Sequence, residues 1–263
     1  MLNAFILGLV QGLTEFLPVS SSGHVAFFEA VLKFKDEPGF AAAIHLATSI
    51  AAIIYFRKEI LEILKSFINF RETDEKNIKW RDLGINIIIA TIPALILGFI
   101  VAKLGIDNYF SSLLAIGISA IIFAVLLYYS DKLDKINKPL KKQMAFLIGA
   151  SQIIAAIFPG ASRSGVTLTT SFFLKLEKEF AAKFAFLISI PITALAGMNE
   201  ILLEKSINLN VEFGIAFVAA FFSGLFGIYF LLYLVRKADL KWLVLYRVVF
   251  GIIVIGYYYI FPL

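Results

Sequence analysis

Residues 11–24 read Gln11-Gly-Leu-Thr-Glu15-Phe-Leu-Pro18-Val-Ser20-Ser21-Ser22-Gly23-His24, a polar interruption in an apolar region covering about 1–34. Gln11 and Glu15 stand four apart, so on a helix they share one face, and Pro18 stops that helix. Ser20, Ser21 and Ser22 precede a second apolar run and can cap its amino terminus, where free N–H groups and the helix dipole favour anions. Neither half has the about 20 residues needed to cross a bilayer, so the region reads as a re-entrant pair of half-helices. Irregular backbone at membrane depth is tolerated only where protein or a watery cavity covers it, which makes the break a candidate site.

A second region, about 144–175, is cut the same way by Phe158-Pro159-Gly160-Ala161-Ser162-Arg163-Ser164-Gly165-Val166-Thr167. An offset of 141 residues aligns Phe5, Gly8, Gln11, Pro18 and Ser21 with Phe146, Gly149, Gln152, Pro159 and Ser162, and one added residue brings Gly23 onto Gly165. Between and beyond the breaks lie six apolar stretches long enough to span, at about 40–56, 83–102, 110–129, 180–203, 211–235 and 242–261. The chain of 263 residues is 60% hydrophobic and 16% charged, too apolar for an ordinary soluble domain. A single membrane domain, 1–263, accounts for all of it. With no Cys there are no disulfides, thiolate metal sites or cysteine nucleophiles. The amino-terminal apolar run is interrupted by Gln11 and Glu15 and lacks a basic leader, which argues against a cleavable signal.

The net charge of +5 would suggest nucleic acid in a soluble chain, but the charges are segregated. Of the 24 Lys and Arg, seven fall in 57–82, five in 130–143, three in 175–183 and three in 236–241. The alternate connections hold Lys33, Lys35, Lys103 and Lys205, while Arg163 and Arg247 lie inside apolar regions. Under the positive-inside rule this places the basic loops in the cytoplasm, provided that both broken regions re-enter on the side they left. Both termini are then extracytoplasmic and the two breaks face each other. The sequence thus predicts an all-α polytopic membrane protein: six full transmembrane helices plus two broken re-entrant half-helix pairs in an inverted repeat, with a site near the bilayer interior.

An ionised carboxylate inside a bilayer costs roughly 3 kcal/mol unless paired, metal-bound or facing water, so Glu15 is functional by default. With Gln11 it could hold a cation. Arg163, between Ser162 and Ser164 at the start of a half-helix, is suited to phosphate oxygens, a reading the surrounding donors favour over a structural ion pair with Glu15 alone, although the two can coexist. Together with His24 the set suits phosphoryl transfer, with a divalent metal to neutralise phosphate charge and His24 or a serine to attack or move a proton. No P-loop signature occurs. His45, in a plain apolar helix, reads as structural.

At these residues the chain resembles the undecaprenyl-diphosphate phosphatase family, also called the bacitracin-resistance phosphatases. The Glu/Gln-x-x-x-Glu helix with Pro-Val-Ser-Ser and Gly-His is similar to 11–24, and the Pro-Gly-x-Ser-Arg-Ser-x-x-Thr signature to 159–167; a weaker match falls at Tyr246-Arg247. The resemblance implies hydrolysis of a polyprenyl diphosphate, recycling the lipid carrier of envelope glycan synthesis, with magnesium as cofactor. It assigns catalysis to Glu15, Ser21, His24 and Arg163, phosphate binding to Ser162, Arg163, Ser164 and Thr167, and metal binding to Glu15, with Gln11 where the family has its first carboxylate; the helix start at Ser20 and Ser22 adds these two as phosphate-binding candidates. Either His24 or Ser21 is the nucleophile. It further implies a cell-membrane location, a site opening to the extracytoplasmic face, and a polyprenyl tail lying among the 27 Phe and the aliphatic residues. A homodimer stays open. A transporter or lipid flippase is the competing reading of the broken helices; the broad lipid phosphatase superfamily is weaker, since its Lys/Arg-Pro signature and second catalytic His are absent.

Overall fold

A computed structural model describes residues 1–34, 40–71, 73–136, 138–203, 210–237 and 239–261; Lys35 and Lys205 lie outside the described residues. Almost all of them are helical, and the described residues contain no strand, only an isolated bridge between Ile136 and Leu176. The helices are α1 (Leu2–Phe16), α2 (Ser21–Leu32), α3 (Phe40–Tyr55), α4 (Arg57–Ile68), α5 (Glu75–Leu104), α6 (Leu113–Lys132), α7 (Lys142–Ser151), α8 (Ile153–Ile157), α9 (Arg163–Phe173), α10 (Lys178–Leu203), α11 (Val211–Lys237) and α12 (Lys241–Ile260).

Each of the six long apolar stretches falls mainly on one helix, with residues 56, 110–112 and 261 outside it, because unpaired backbone polar groups are intolerable in hydrocarbon. Among the described residues four helices, α5, α6, α11 and α12, are long and apolar enough to cross a bilayer. The pair α3 and α4, bent by 73° at Phe56, would make a fifth. Their outward faces carry large apolar side chains one turn apart: Ile88, Ile92 and Ile96 on α5, Ile118 and Ile122 on α6, Val218, Phe222 and Phe226 on α11. In water such stripes would be a liability; here they are the surface offered to lipid. Pro93 and Pro191 sit inside α5 and α10, a placement more common in membrane helices than in soluble ones.

The two broken regions fold as short helices. In the first, α1 ends at Phe16 ahead of Pro18 and α2 starts at Ser21. In the second, α7 and α8 are nearly continuous through a joint at Gln152, a joint that periodicity alone does not announce, and a 3-10 turn at Pro159–Ala161 leads to α9. α2 and α9 match from cap to cap. Ser20 (φ 76°) and Ser162 (φ 68°) are both left-handed N-caps whose hydroxyls accept from Gly23 N and Gly165 N. Lys33 (φ 48°) and Lys175 (φ 59°) close the two helices, with Phe34 N donating to Glu29 O and Leu176 N to Ser171 O. These pairs share an offset one residue longer than 141, so the extra residue enters before the caps. The counterpart of Ser162 is therefore Ser20, and Ser21 corresponds to Arg163, which corrects the sequence alignment of Ser21 with Ser162.

α1 packs along α11 and α7 along α5, each through a glycine. A side chain on Gly8 would collide with the backbone of Ala216, and one on Gly149 with that of Ala90; small residues permit such close approach in membranes. α3 contacts α11 and α10 contacts α5, while α6 crosses α12 where Gly117 meets Gly251.

Candidate active site

Glu15, in the last turn of α1, is 8% exposed. Its Oε2 accepts from Gln11 Nε2 at 2.9 Å and from Ser21 Oγ at 2.6 Å, and its Oε1 pairs with Arg163 Nη2 at 3.0 Å. Burial makes this partnership obligatory for the ionised form. Arg163 is the first residue of α9, so the ion pair spans the two breaks. Gln11 turns its NH2, not its carbonyl, toward Glu15, with Nε2 also 3.2 Å from Nδ1 of His45. Gln11, expected as a metal ligand beside Glu15, donates its NH2 to that carboxylate in this arrangement. His45, expected to be a bystander on α3, stands behind this amide. The signal that it belongs was a polar set within an apolar helix: His45, Thr48 and Ser49 share a face, and the hydroxyls of the latter two return to His45 O.

The breaks are stitched to each other. Ser20 Oγ donates to Pro159 O at 2.5 Å and Ser164 Oγ to Leu17 O at 2.8 Å. Arg247 of α12, fully buried, donates to Pro18 O at 3.1 Å, to Gly160 O at 2.7 Å and to Ala161 O. A buried guanidinium whose two Nη groups donate to carbonyls at both breaks fixes their spacing. In the sequence Arg247 was legible as a basic residue in an apolar stretch and as part of the weaker Tyr246-Arg247 match, not as a link between the breaks.

A cavity of about 220 Å³ lies between the breaks. Its polar wall is Glu15, Ser20, Ser21, Ser22, Gln152, Ser162 and Arg163; Ala94 and Gly98 of α5, Ala155, Ala156, Pro159 and Ile192 form the rest. The volume is below the about 300–1,000 Å³ of drug-sized ligand sites, so it suits a headgroup rather than a long tail. The amino termini of α2 and α9 both reach it, each capped by serine, an arrangement favourable to anions.

Four predicted residues do not line this cavity: Gln11, described above, and His24, Ser164 and Thr167. His24 is 2% exposed, with Nδ1 2.7 Å from Ser20 O, Nε2 2.8 Å from Tyr246 Oη and its ring stacked on Phe250 at 3.7 Å between centroids. Both nitrogens are thus engaged away from Glu15. Thr167 Oγ1 donates to Arg163 O within its own helix, at 2.7 Å, and Ser164 is held by Leu17 O. Among the described residues no group of three or more His, Cys, Asp or Glu is placed to hold a metal. The oxygens along the polar wall, one carboxylate with the Ser21 and Ser22 hydroxyls, are the hard-donor chemistry of magnesium, which commonly completes its shell with water and substrate phosphate.

Residues 4–253 match the family model described as bacitracin resistance protein BacA. Curated relatives named undecaprenyl-diphosphatase include one from Korarchaeum cryptofilum (strain OPF8), 37% identical over 97% of this chain and 98% of that protein. Another, from Tropheryma whipplei (strain TW08/27), is 36% identical over 97% of this chain and 98% of its own. A third, from Methanococcus maripaludis (strain C7 / ATCC BAA-1331), is 37% identical over 91% and 93%.

Proposed function

The chain belongs to the bacitracin resistance protein BacA family, and from that premise we propose that it is a membrane hydrolase converting undecaprenyl diphosphate to the monophosphate and inorganic phosphate. The reaction would return the lipid carrier to envelope glycan synthesis. The observation that carries the mechanism is the Ser21–Glu15–Arg163 chain of contacts along one wall of the cavity.

Arg163 clamps the incoming diphosphate, whose charge competes with Glu15 for the guanidinium, and the capped starts of α2 and α9 add N–H and hydroxyl donors. Ser21 Oγ attacks the terminal phosphorus while its proton passes to Glu15 Oε2, to which it already donates. The bond from that phosphorus to the bridging oxygen breaks and undecaprenyl phosphate leaves. Water then cleaves the phosphoserine, releasing phosphate and restoring the Ser21 hydroxyl. Ser21 is preferred to His24 because it lines the cavity and touches the base, whereas His24 does neither. Glu15, with the Ser21 and Ser22 hydroxyls, would hold magnesium, which supplies charge neutralisation to the phosphates. Gln11 and His45 act through Glu15.

In this reading the chain is one domain in the cell membrane, with six spans, α10 among them, and two re-entrant pairs in an inverted repeat. The matched caps of α2 and α9 support the repeat, as does packing that is reciprocal on exchange of halves: α1 on α11 for α7 on α5, α3 on α11 for α10 on α5. The basic loops support cytoplasmic placement of one set of connections, with both termini and the mouth of the site on the extracytoplasmic face. The site is complete within one chain, so no homodimer is required. The transporter reading is not favoured, since the relatives bear the name of a hydrolase.

Purified protein given undecaprenyl diphosphate and magnesium should release phosphate, lose that activity in EDTA and regain it with added magnesium. Ser21→Ala and Arg163→Ala should each lower kcat/KM by about 100-fold or more, the scale of a general-base or clamp contribution. Undiminished release by both variants would sink the mechanism.

A further inference from the structure

Gln152 is the residue of the cavity wall that the mechanism leaves without work. It marks the joint between α7 and α8 and is 5% exposed, yet neither its Oε1 nor its Nε2 has a hydrogen-bond partner. Among the described residues it is the one buried amide with both ends unpaired: Asn86 keeps a bond from Nδ2 to Leu140 O. Gln11, its partner in the repeat alignment, has its amide engaged with Glu15 and His45. Gln152 could have been any apolar residue if packing alone mattered, since a buried amide without partners destabilises the folded chain. It lines the same cavity as Arg163, Glu15 and Ser162.

We propose that Gln152 is a substrate-contacting residue whose Nε2 donates to a non-bridging oxygen of the diphosphate clamped by Arg163, while its Oε1 accepts from cavity water. The assignment rests on the phosphatase reading of this site. Phosphate oxygens are pure acceptors, so a neutral amide adds a donor without adding positive charge beside the guanidinium. The carbonyl end cannot face the phosphate and is left to water, which a small polar cavity accommodates.

The test compares full-length wild type, Gln152→Leu and Gln152→Glu in detergent, reading kinetics, inhibition by inorganic phosphate and thermal midpoints. Gln152→Leu should lose about 10–100-fold in kcat/KM, the range for a hydrogen bond to a charged group, and should be inhibited more weakly by phosphate. Its ligand-free midpoint should stay level or rise, because unpaired polar atoms have been removed. Gln152→Glu should bind phosphate more weakly still, through charge repulsion. Unchanged kcat/KM and phosphate inhibition in both variants would overturn the contact, as would lost activity with a lowered midpoint and wild-type phosphate inhibition. If wild type released no phosphate from undecaprenyl diphosphate, the functional reading would fail. The contact would then be judged by phosphate-dependent stabilisation of wild type: its loss in Gln152→Leu supports the assignment and its persistence refutes it.

Discussion

Glu15 and Arg163 show how far residue chemistry can be read before any fold is known. Each is out of place in an apolar stretch, and in the structure each is the other's partner at 3.0 Å. Removing one member of a buried pair costs about 3–5 kcal/mol; solvent at Arg163, 27% exposed against 4% for the Glu15 side chain, should bring the effect below that range. Arg163→Lys should therefore keep the fold, with a thermal midpoint near that of wild type, yet lose at least about 10-fold in kcat/KM because a point charge replaces a planar fork. A large fall in midpoint with little kinetic change would reverse that assignment. The nucleophile is tested by rapid quench with substrate labelled in the terminal phosphate: label should appear on Ser21, and its appearance on His24, or on no residue, would count against serine attack. The place of Gln152 and the exact partner of Gln11 were not legible, and His45 only through its polar helix face, because these depend on what lies across a helix interface.

At the level of elements, Pro18 and Pro159, each followed closely by serines, announced the breaks correctly, since a proline that disfavours continuing the helix is joined there by residues that favour starting the next one. The left-handed conformations of Ser20 and Ser162 were not announced; only the tight turn before each helix imposes them. Non-glycine residues held in this region store about 1–3 kcal/mol. Ser162→Gly should relieve that strain at a cap cost of a few tenths of a kcal/mol, whereas Ser162→Ala keeps the strain and loses the cap, about 1 kcal/mol. Equilibrium unfolding should therefore rank glycine above alanine, and the opposite order would show that glycine's greater backbone freedom in the unfolded chain outweighs the relief of strain. Arg247 joins both breaks to α12. Arg247→Met, which keeps bulk but leaves three carbonyls unpaired, should lower the thermal midpoint by several degrees and depress turnover even though the residue lines no part of the cavity.

Over the whole molecule, charge segregation makes a topological claim that the Cys-free chain can test cleanly. A single cysteine at Asn108, in the short turn after α5, should react with a membrane-impermeant maleimide in intact cells. One at Lys141, which caps α7, should react only after the membrane is opened, and the reverse pattern would invert the topology. The sequence by itself determined that the chain is helical and membrane-embedded and where its two polar interruptions fall, because hydrocarbon penalises every unsatisfied polar group regardless of fold. Only the tertiary structure decided that Glu15 meets Arg163 from the other break, that His24 is turned toward Tyr246 and Phe250, that Gln11 offers its NH2, and that Gln152 stands unpaired in the cavity. Those are matters of side-chain direction across packed helices, set by close approaches such as Gly8 on Ala216 and Gly149 on Ala90 rather than by residue type or spacing along the chain.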